Sequence, residues 1–234
     1  MDPGSTAEEY PIEIVLSPVP TQYTNRTMAF TYFFRDLQTL QMIIDHMLPS
    51  IRGRTHINVW SAGCAMGQEP YTIALLLKEH MGAMIFRNVR ILASDIDHSN
   101  LFADIIEKGS YPYVELKRIP EEFFTKNFTP DPGNDDHFII AEDVRNRVTF
   151  KRHDLLTLNP PGNNFSLISC KNVLLHFTEE QRINVIRMFH DTLVDGGFFL
   201  TEQTQKMPPE VADLFERVVP NAQVFRKLPA DSRS

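Results

Sequence analysis

The chain has 234 residues, of which 42% are hydrophobic and 23% are charged, and its formal net charge is −7. This composition is typical of a soluble globular protein rather than a disordered or disulfide-rich one. The acidic balance argues against a nucleic-acid partner, because binding to a phosphate backbone depends on clustered positive charge. The two cysteines, Cys64 and Cys170, are too few for a disulfide framework and favour a reducing compartment.

Residues 1–29 are predicted to form an N-terminal arm rather than a domain, because they are rich in polar residues and prolines and show no sustained periodicity. The chain opens with acidic residues and has no basic and apolar leader, so we expect no signal peptide. Its apolar runs are interrupted and too short for a membrane span. These features together predict a cytoplasmic protein.

Helical and strand-like patterns alternate along much of the remaining chain. Apolar residues at helical spacing predict a first helix over residues 36–48. The predicted strands that follow are 57–61, 89–94, 165–170, 197–203 and 222–228, and the predicted helices among them are 69–81, 99–109, 178–194 and 209–218. This alternation indicates an α/β fold with a mostly parallel sheet and helices on both faces.

The alternation is interrupted after residue 109. Two strand-like runs, 137–143 and 147–154, are separated by only three residues and predict a small β-hairpin. Alternation resumes with the strand at 165–170. The interruption therefore indicates an elaboration on the α/β domain.

A turn rich in small residues, from Ser61 to Gly67, follows the first predicted strand. Gly63 and Gly67 would let the backbone approach a ligand closely. The spacing differs from the dinucleotide fingerprint G-x-G-x-x-G, and no Lys-Ser or Lys-Thr pair follows for a triphosphate. Glu69 adds a negative charge where a pyrophosphate would need positive helix-end amides. The turn therefore favours a ligand with a cationic head, and a turn that binds nothing is the alternative.

Asp95 ends the next predicted strand. An acid in this place can accept hydrogen bonds from both hydroxyls of a ribose, although a lone Asp at a strand end also serves as a helix cap. Together with the glycine turn, Asp95 indicates an adenosine ligand without phosphates. S-adenosylmethionine, with its adenosine, sulfonium and amino-acid tail, fits these requirements, and S-adenosylhomocysteine would be the product. We expect no metal, because methyl transfer of this kind needs none.

Several motifs resemble those of the chemotaxis receptor glutamate methyltransferases (CheR type). They are TYFFRD, WSAGCAMGQEPYTIA, ILASDID, ISCKNVLLHF and MFHDTLVDGGFFL, in this order from Thr31 onward. The resemblance implies a Rossmann-like class I S-adenosylmethionine-dependent methyltransferase fold at residues 30–234, with a small antiparallel β-subdomain inserted at about 110–152. It also implies methyl transfer to glutamate side-chain carboxylates in the cytoplasmic region of a chemoreceptor or other signalling protein.

The resemblance assigns cofactor-binding roles to residues of the glycine turn and of the strand ends. Glu69 and Asp95 would hold the amino-acid end and the ribose, in a turn that includes Ser61 and Gly63. Asp154–Leu155 would line the adenine pocket, where the family commonly has Asn at the first position.

Further roles that the resemblance implies fall on the start and the middle of the chain. Thr31 and Arg35 would reach over the cofactor, and Lys171 and Asn172 would lie near its methionyl part. The family usually has Arg in place of Lys171 and Tyr in place of His176. Arg35 and His176 are the catalytic candidates, Arg35 because its planar fork suits a carboxylate acceptor.

The chemistry of the acceptor leaves alternatives open. A glutamate carboxylate has an ordinary pKa of about 4.3 and needs no general base at neutral pH. A hydroxyl or amine acceptor would need one, and His176 could serve because histidine titrates near neutrality. The leading hypothesis is the glutamate methyltransferase. The alternatives are a methyltransferase for a different acceptor and a non-catalytic S-adenosylmethionine-binding regulatory module.

Overall fold

A computed structural model of the protein describes residues 31–229. Its helices are α1 (Leu37–Ile51), α2 (Gln68–Phe86), α3 (Phe102–Lys108), α4 (Tyr113–Leu116), α5 (Glu121–Asn127), α6 (Glu142–Arg145), α7 (Glu179–Thr192) and α8 (Pro209–Ala212). Its strands are β1 (Ile57–Ala62), β2 (Val89–Asp95), β3 (Ser110–Pro112), β4 (Phe128–Pro130), β5 (His137–Ile140), β6 (Val148–Arg152), β7 (Phe165–Cys170), β8 (Leu193–Thr201), β9 (Phe215–Arg217) and β10 (Val224–Lys227). The predicted arm at residues 1–29 lies outside the described residues, and the domain limits remain predictions.

The main sheet has the strand order β6-β2-β1-β7-β8-β10-β9. Neighbouring strands from β6 through β8 are parallel, whereas β10 is antiparallel to both β8 and β9. Every residue of β7 is buried, as expected for a central strand of a mostly parallel sheet. The α/β architecture predicted from the alternation of patterns is confirmed.

The side chain of Trp60 joins β1, which precedes the glycine turn, to β2, which ends at Asp95. Trp60 in β1 is fully buried and lies edge-on to Phe189 of α7, with 5.1 Å between the ring centroids. Its indole Nε1 donates a hydrogen bond to the Ser94 hydroxyl of β2 at 2.8 Å. Burial of aromatic side chains of this size contributes roughly 1.5–3 kcal/mol each. The turns that follow β1 and β2 therefore start from strands that are joined to each other and packed in the core.

A second, three-stranded antiparallel sheet has the order β3-β5-β4. Strand β5 pairs with β3 on one side and with β4 on the other. The hairpin predicted for residues 137–143 and 147–154 is wrong, because β6 pairs in parallel with β2 of the main sheet. Residues 142–145, which include the end of the first run, form the helical turn α6 between β5 and β6, so the chain does not fold back directly.

The helix predicted over residues 209–218 is also wrong beyond its first turn. Only α8 is helical, and β9 pairs with β10 at the edge of the main sheet. Phe215 packs against Phe199 and Phe225, with ring centroids 5.9 and 6.4 Å away. This tertiary packing overrides a local pattern that reads as helical, because the edge strand buries the Phe215 ring.

The longest of the described helices, α2, is interrupted. It has 19 residues and a break in helical geometry at Gly82, where φ is 74°. Within residues 31–229, no helix combines the length and the apolar character needed to cross a membrane.

Candidate active site

The carboxyl ends of five parallel strands meet at one edge of the main sheet, and most of the predicted site residues lie there. Parallel pairing runs through β6, β2, β1, β7 and β8, so these strand ends are neighbours. The predicted residues at or directly after them are Ser61, Gly63, Asp95, Asp154, Leu155, Lys171 and Asn172, with Glu69 in the first turn of α2. Ligands of open α/β sheets bind at this kind of edge.

The turn after β1 combines several left-handed residues. Gly63, Ala65 and Gly67 have φ values of 82°, 47° and 95°. The N–H groups of Gly63 and Cys64 both donate to the Ser94 carbonyl, at 2.7 and 3.0 Å. A conformation of this kind is favourable for glycine and costs other residues about 1–2 kcal/mol. The turn is therefore built by its glycines and anchored on β2.

Two carboxylates hold the turn from either side. Glu69 accepts a hydrogen bond from the Ser61 hydroxyl at 2.8 Å. Asp95 accepts from the N–H of Ala65 at 2.9 Å through Oδ2 and from the N–H of Asp97 at 3.2 Å through Oδ1. Each carboxylate oxygen has about two lone pairs, so both side chains retain capacity for a ligand.

Asp154 and Leu155 have local structural roles at the end of β6. Asp154 caps a 3-10 helix (Leu155–Thr157) by accepting from the N–H of Leu156 at 2.9 Å, and Leu155 is buried in the core. The N–H of His153 donates to the Asp95 carbonyl at 2.8 Å, which brings this stretch next to the end of β2.

The stretch before α1 carries Arg35 between two residues with unusual backbone geometry. Phe34 and Asp36 have φ values of 59° and 52°, which is uncommon for a bulky aromatic residue and for any residue other than glycine. Strained backbone of this kind concentrates at functional sites. The guanidinium of Arg35 lies 5.8 Å from the centre of the Tyr32 ring, at cation–π distance.

Lys171 joins this stretch to the end of β7. Its ammonium Nζ lies 2.6 Å from Oδ2 of Asp36, and the Lys171 side chain is only 4% exposed. A buried ammonium requires such a partner, because removing it from water unpaired is costly. The ion pair brings the segment with Thr31 and Arg35 to the carboxyl edge of the sheet.

His176 is exposed, whereas the other predicted site residues are buried or half-buried. It ends a 3-10 helix (Leu174–His176), and its side chain is exposed. The N–H of His176 donates to the Val173 carbonyl at 3.0 Å, a contact of the backbone and not of the imidazole. Its catalytic role stays a prediction.

The sequence reasoning missed Glu202, which directly follows β8 and is 4% exposed. Its Oε2 accepts from the N–H of Asn172 and from the Thr201 hydroxyl, both at 2.8 Å. A signal was present, since an acid after an apolar strand is the feature that identified Asp95. The strand predicted over residues 197–203 includes Glu202, so the pattern does not mark this acid as a strand-end residue.

The small sheet is attached to the glycine turn by polar contacts that the sequence also did not reveal. The Tyr111 hydroxyl of β3 donates to the Met66 carbonyl at 2.7 Å. Gln68, which is fully buried at the start of α2, donates to Glu115 of α4 at 3.1 Å. Burial raises the pKa of Glu115 above its ordinary value, and the Gln68 hydrogen bond opposes this shift to a smaller extent.

Neither cysteine is suited to be a nucleophile. Burial raises the pKa of the Cys64 and Cys170 thiols, and nearby carboxylates raise it further. Both therefore remain protonated near neutral pH, whereas a reactive cysteine needs a lowered pKa.

The residues at this edge fit S-adenosylmethionine. Asp95 and Glu69 have carboxylate oxygens with remaining lone pairs, which could accept from ribose hydroxyls and from an ammonium group. The turn itself, residues 61–67, contains no basic side chain for a phosphate. The arrangement favours an adenosine ligand whose remaining charge includes cationic groups.

A family profile described as "CheR methyltransferase, SAM binding domain" matches residues 29–223. The chain belongs to this family. The resemblance seen in the sequence motifs is confirmed, and the expected cofactor is the one that the family description names.

Curated relatives match the chain over most of its length. The chemotaxis protein methyltransferase of Borreliella burgdorferi is 34% identical over 179 residues, which cover 73% of this chain and 62% of that protein. The chemotaxis protein methyltransferase of Vibrio parahaemolyticus is 28% identical over 219 residues, which cover 92% of this chain and 77% of that protein. The matched region is thus about three fifths to three quarters of these relatives.

The fold is also shared with a solved structure. The rRNA methyltransferase aviRa from Streptomyces viridochromogenes is similar with a TM-score of 0.52, and the match covers 86% of this chain and 87% of that one at 13% identity. At this identity the likeness concerns the fold alone. It confirms the predicted Rossmann-like methyltransferase fold, here carrying the additional three-stranded sheet.

Proposed function

We propose that this protein transfers a methyl group to glutamate side-chain carboxylates in the cytoplasmic region of a chemoreceptor. The observation that carries the proposal is the ion pair of Lys171 with Asp36, at 2.6 Å, which joins the Arg35 segment to the strand ends that fit the cofactor. Membership of the CheR family and the chemotaxis names of the relatives support the choice of acceptor.

In this proposal, some residues hold the cofactor and others orient the acceptor. Bound S-adenosylmethionine supplies a methyl group on a sulfonium sulfur. Glu69 and Asp95 would hold its amino-acid end and ribose, and Asn172 would lie near the methionyl part. Lys171 contributes by fixing the Arg35 segment through Asp36.

Arg35 orients the acceptor carboxylate in this proposal. Its guanidinium presents two parallel donors to a carboxylate. Its two neighbours are anchored, since the N–H of Phe34 donates to the Thr72 hydroxyl at 3.0 Å and Asp36 pairs with Lys171. Positioning of two reactants can lower the barrier by about 7–11 kcal/mol. No side chain has to remove a proton, because the acceptor is already ionised at neutral pH.

The test is transfer of a labelled methyl group from S-adenosylmethionine to an isolated chemoreceptor cytoplasmic region, followed by mild alkali. We expect label that alkali releases as methanol, because a carboxyl methyl ester is alkali-labile. Alkali-stable label would contradict the carboxylate acceptor. Binding of the cofactor without any transfer would instead favour the regulatory module.

A matched pair of variants tests the role of Arg35 in the same assay. Arg35→Lys keeps the charge but loses the planar fork, and Arg35→Ala loses both. We expect kcat to fall about tenfold in the first and about a hundredfold in the second, since each charge-assisted hydrogen bond contributes about 1.5–3 kcal/mol. The affinity for S-adenosylhomocysteine should change much less. Equal kcat in all three proteins would refute the orienting role.

A further inference from the structure

Glu202 is a buried carboxylate whose two oxygens are used unequally. Its Oε2 accepts two hydrogen bonds at 2.8 Å, from the N–H of Asn172 and the hydroxyl of Thr201. Its Oε1 has no hydrogen-bond partner among residues 31–229. A buried carboxylate with an unpaired oxygen is unfavourable for folding, so the contacts of its other oxygen indicate what Glu202 does in the structure.

The first partner of Glu202 has a backbone conformation that needs support. Asn172 directly follows Lys171 after β7 and has a φ of 60°. Asparagine tolerates this left-handed conformation better than most residues, but it is still less favourable there than glycine. The hydrogen bond from its N–H to a charged, buried acceptor is of the stronger kind and stabilises the conformation.

The next residue transmits this conformation to the glycine turn. Val173 lies against Gly63, and a Cβ placed on Gly63 would be only 2.2 Å from Cγ2 of Val173. The Val173 methyl group therefore occupies the space that any side chain at position 63 would need. A change in the backbone at Asn172 would move Val173 and remove this support from the turn.

We propose that Glu202 is a positioning residue for the cofactor site, which acts through Asn172 and Val173 on the turn at Gly63. The carboxylate does not contact the cofactor in this scheme. It holds the end of β7 in the one conformation that lets Val173 pack on the turn. The inference rests on the proposed function only through the location of the cofactor site.

The experiment measures the dissociation constant of S-adenosylhomocysteine by calorimetry, at a temperature where every variant is folded by circular dichroism. Glu202→Ala should raise this constant about tenfold, the effect expected from loss of a hydrogen bond to a charged group. Glu202→Gln should stay within about threefold of wild type, because its amide oxygen can still accept from Asn172. Thr201→Val is the matched control, since it removes only the other donor to Oε2, and should bind like wild type.

A double-mutant cycle distinguishes positioning from direct contact. Glycine adopts the left-handed conformation without support, so Glu202→Ala should have little further effect in an Asn172→Gly background. Equal effects in both backgrounds, or unchanged binding by Glu202→Ala, would overturn the inference. The inference would also be overturned if Glu202→Gln bound S-adenosylhomocysteine as weakly as Glu202→Ala does. That result would indicate direct contact between the Glu202 charge and the ligand. Failure of the wild-type protein to bind would overturn the proposed function itself, together with the cofactor part of this inference.

Discussion

The turns after β1 and β7 lie side by side at the same edge of the sheet, yet they are built differently. The first reaches left-handed conformations mainly through Gly63 and Gly67. The second has no glycine at its left-handed position, Asn172, and depends on Glu202, thirty residues further along the chain. The conformation of the first turn thus depends on its own residues, whereas the second turn also needs the side chain of Glu202.

The difference has consequences for how each turn tolerates change. A glycine turn fails when a side chain is added, because the added Cβ meets both an unfavourable φ and a neighbouring group. A turn held by a hydrogen bond fails when the distant acceptor is removed. Val173 of the second turn packs on Gly63 of the first. A substitution that distorts either turn should therefore also change the conformation of the other.

The largest effect is expected from Gly63→Ala. The new methyl group would lie within 2.2 Å of Val173, and φ at this position is 82°. The backbone strain costs about 1–2 kcal/mol and the overpacking about 1–3 kcal/mol. We expect a fall of about 2–5 kcal/mol in the free energy of unfolding, measured in urea, and loss of detectable S-adenosylhomocysteine binding.

Gly82→Ala provides the control. Gly82 has φ 74° and ψ 161°, a conformation that is also confined to glycine, but nothing lies within 4 Å of an added Cβ. It should therefore show the backbone strain without the clash, and cofactor binding should persist. Equal losses of S-adenosylhomocysteine affinity in the two variants would contradict the packing of Val173 on Gly63.

The sequence predicted the glycine turn and missed the contacts that complete the site. Gly63 and Asp95 could be recognised because each follows an apolar run and its chemistry is local. Glu202 has the same local setting, but its partner Asn172 is brought close only by the pairing of β7 with β8. The contact of Tyr111 with the turn depends in the same way on the small sheet, whose strand pairing local patterns did not specify.

Asp95→Asn tests the first turn with a smaller change. Each Asp95 oxygen accepts from a backbone N–H, of Ala65 or of Asp97. An asparagine has only one oxygen, so one N–H would face an amide NH2 group, and the charge available to the ribose would be lost. We expect the affinity for S-adenosylhomocysteine to fall about tenfold or more.

The exposed Asp104→Asn in α3 makes the same chemical change away from the site and should bind normally. If Asp95→Asn also binds like wild type, Asp95 does not hold the ribose. The glycines alone would then determine the conformation of the turn after β1.

A weaker, pH-dependent effect is expected where the small sheet joins the first turn. Burial raises the pKa of Glu115 above its ordinary value of 4.5. A carboxyl with a higher pKa in the folded protein favours folding while protonated, so this contribution is lost as the pH rises through the raised pKa. The free energy of unfolding of Glu115→Gln, relative to wild type, should therefore increase from about pH 4.5 upward.

Urea unfolding of both proteins across this pH range provides the measurement. Glu121, which is exposed in the first turn of α5, offers a control in Glu121→Gln, whose stability should follow that of wild type with pH. A difference between Glu115→Gln and wild type that does not change with pH would mean that burial does not govern this carboxyl.

The smallest effect is expected at the far end of the second turn, from His176→Phe. The imidazole is exposed and belongs to a 3-10 helix that begins just after Val173. Because the imidazole is exposed, loss of one hydrogen bond of about 0.5–1 kcal/mol would lower kcat about two- to fivefold, whereas loss of a general base costs about a hundredfold or more. Because a glutamate acceptor needs no base, the dependence of kcat on pH between about 6 and 8 should be the same in both proteins. A large loss of kcat, or a pH dependence that disappears with the histidine, would identify a base. In that case the acceptor is a hydroxyl or an amine, and the second turn contributes to the chemistry as well as to the shape of the site.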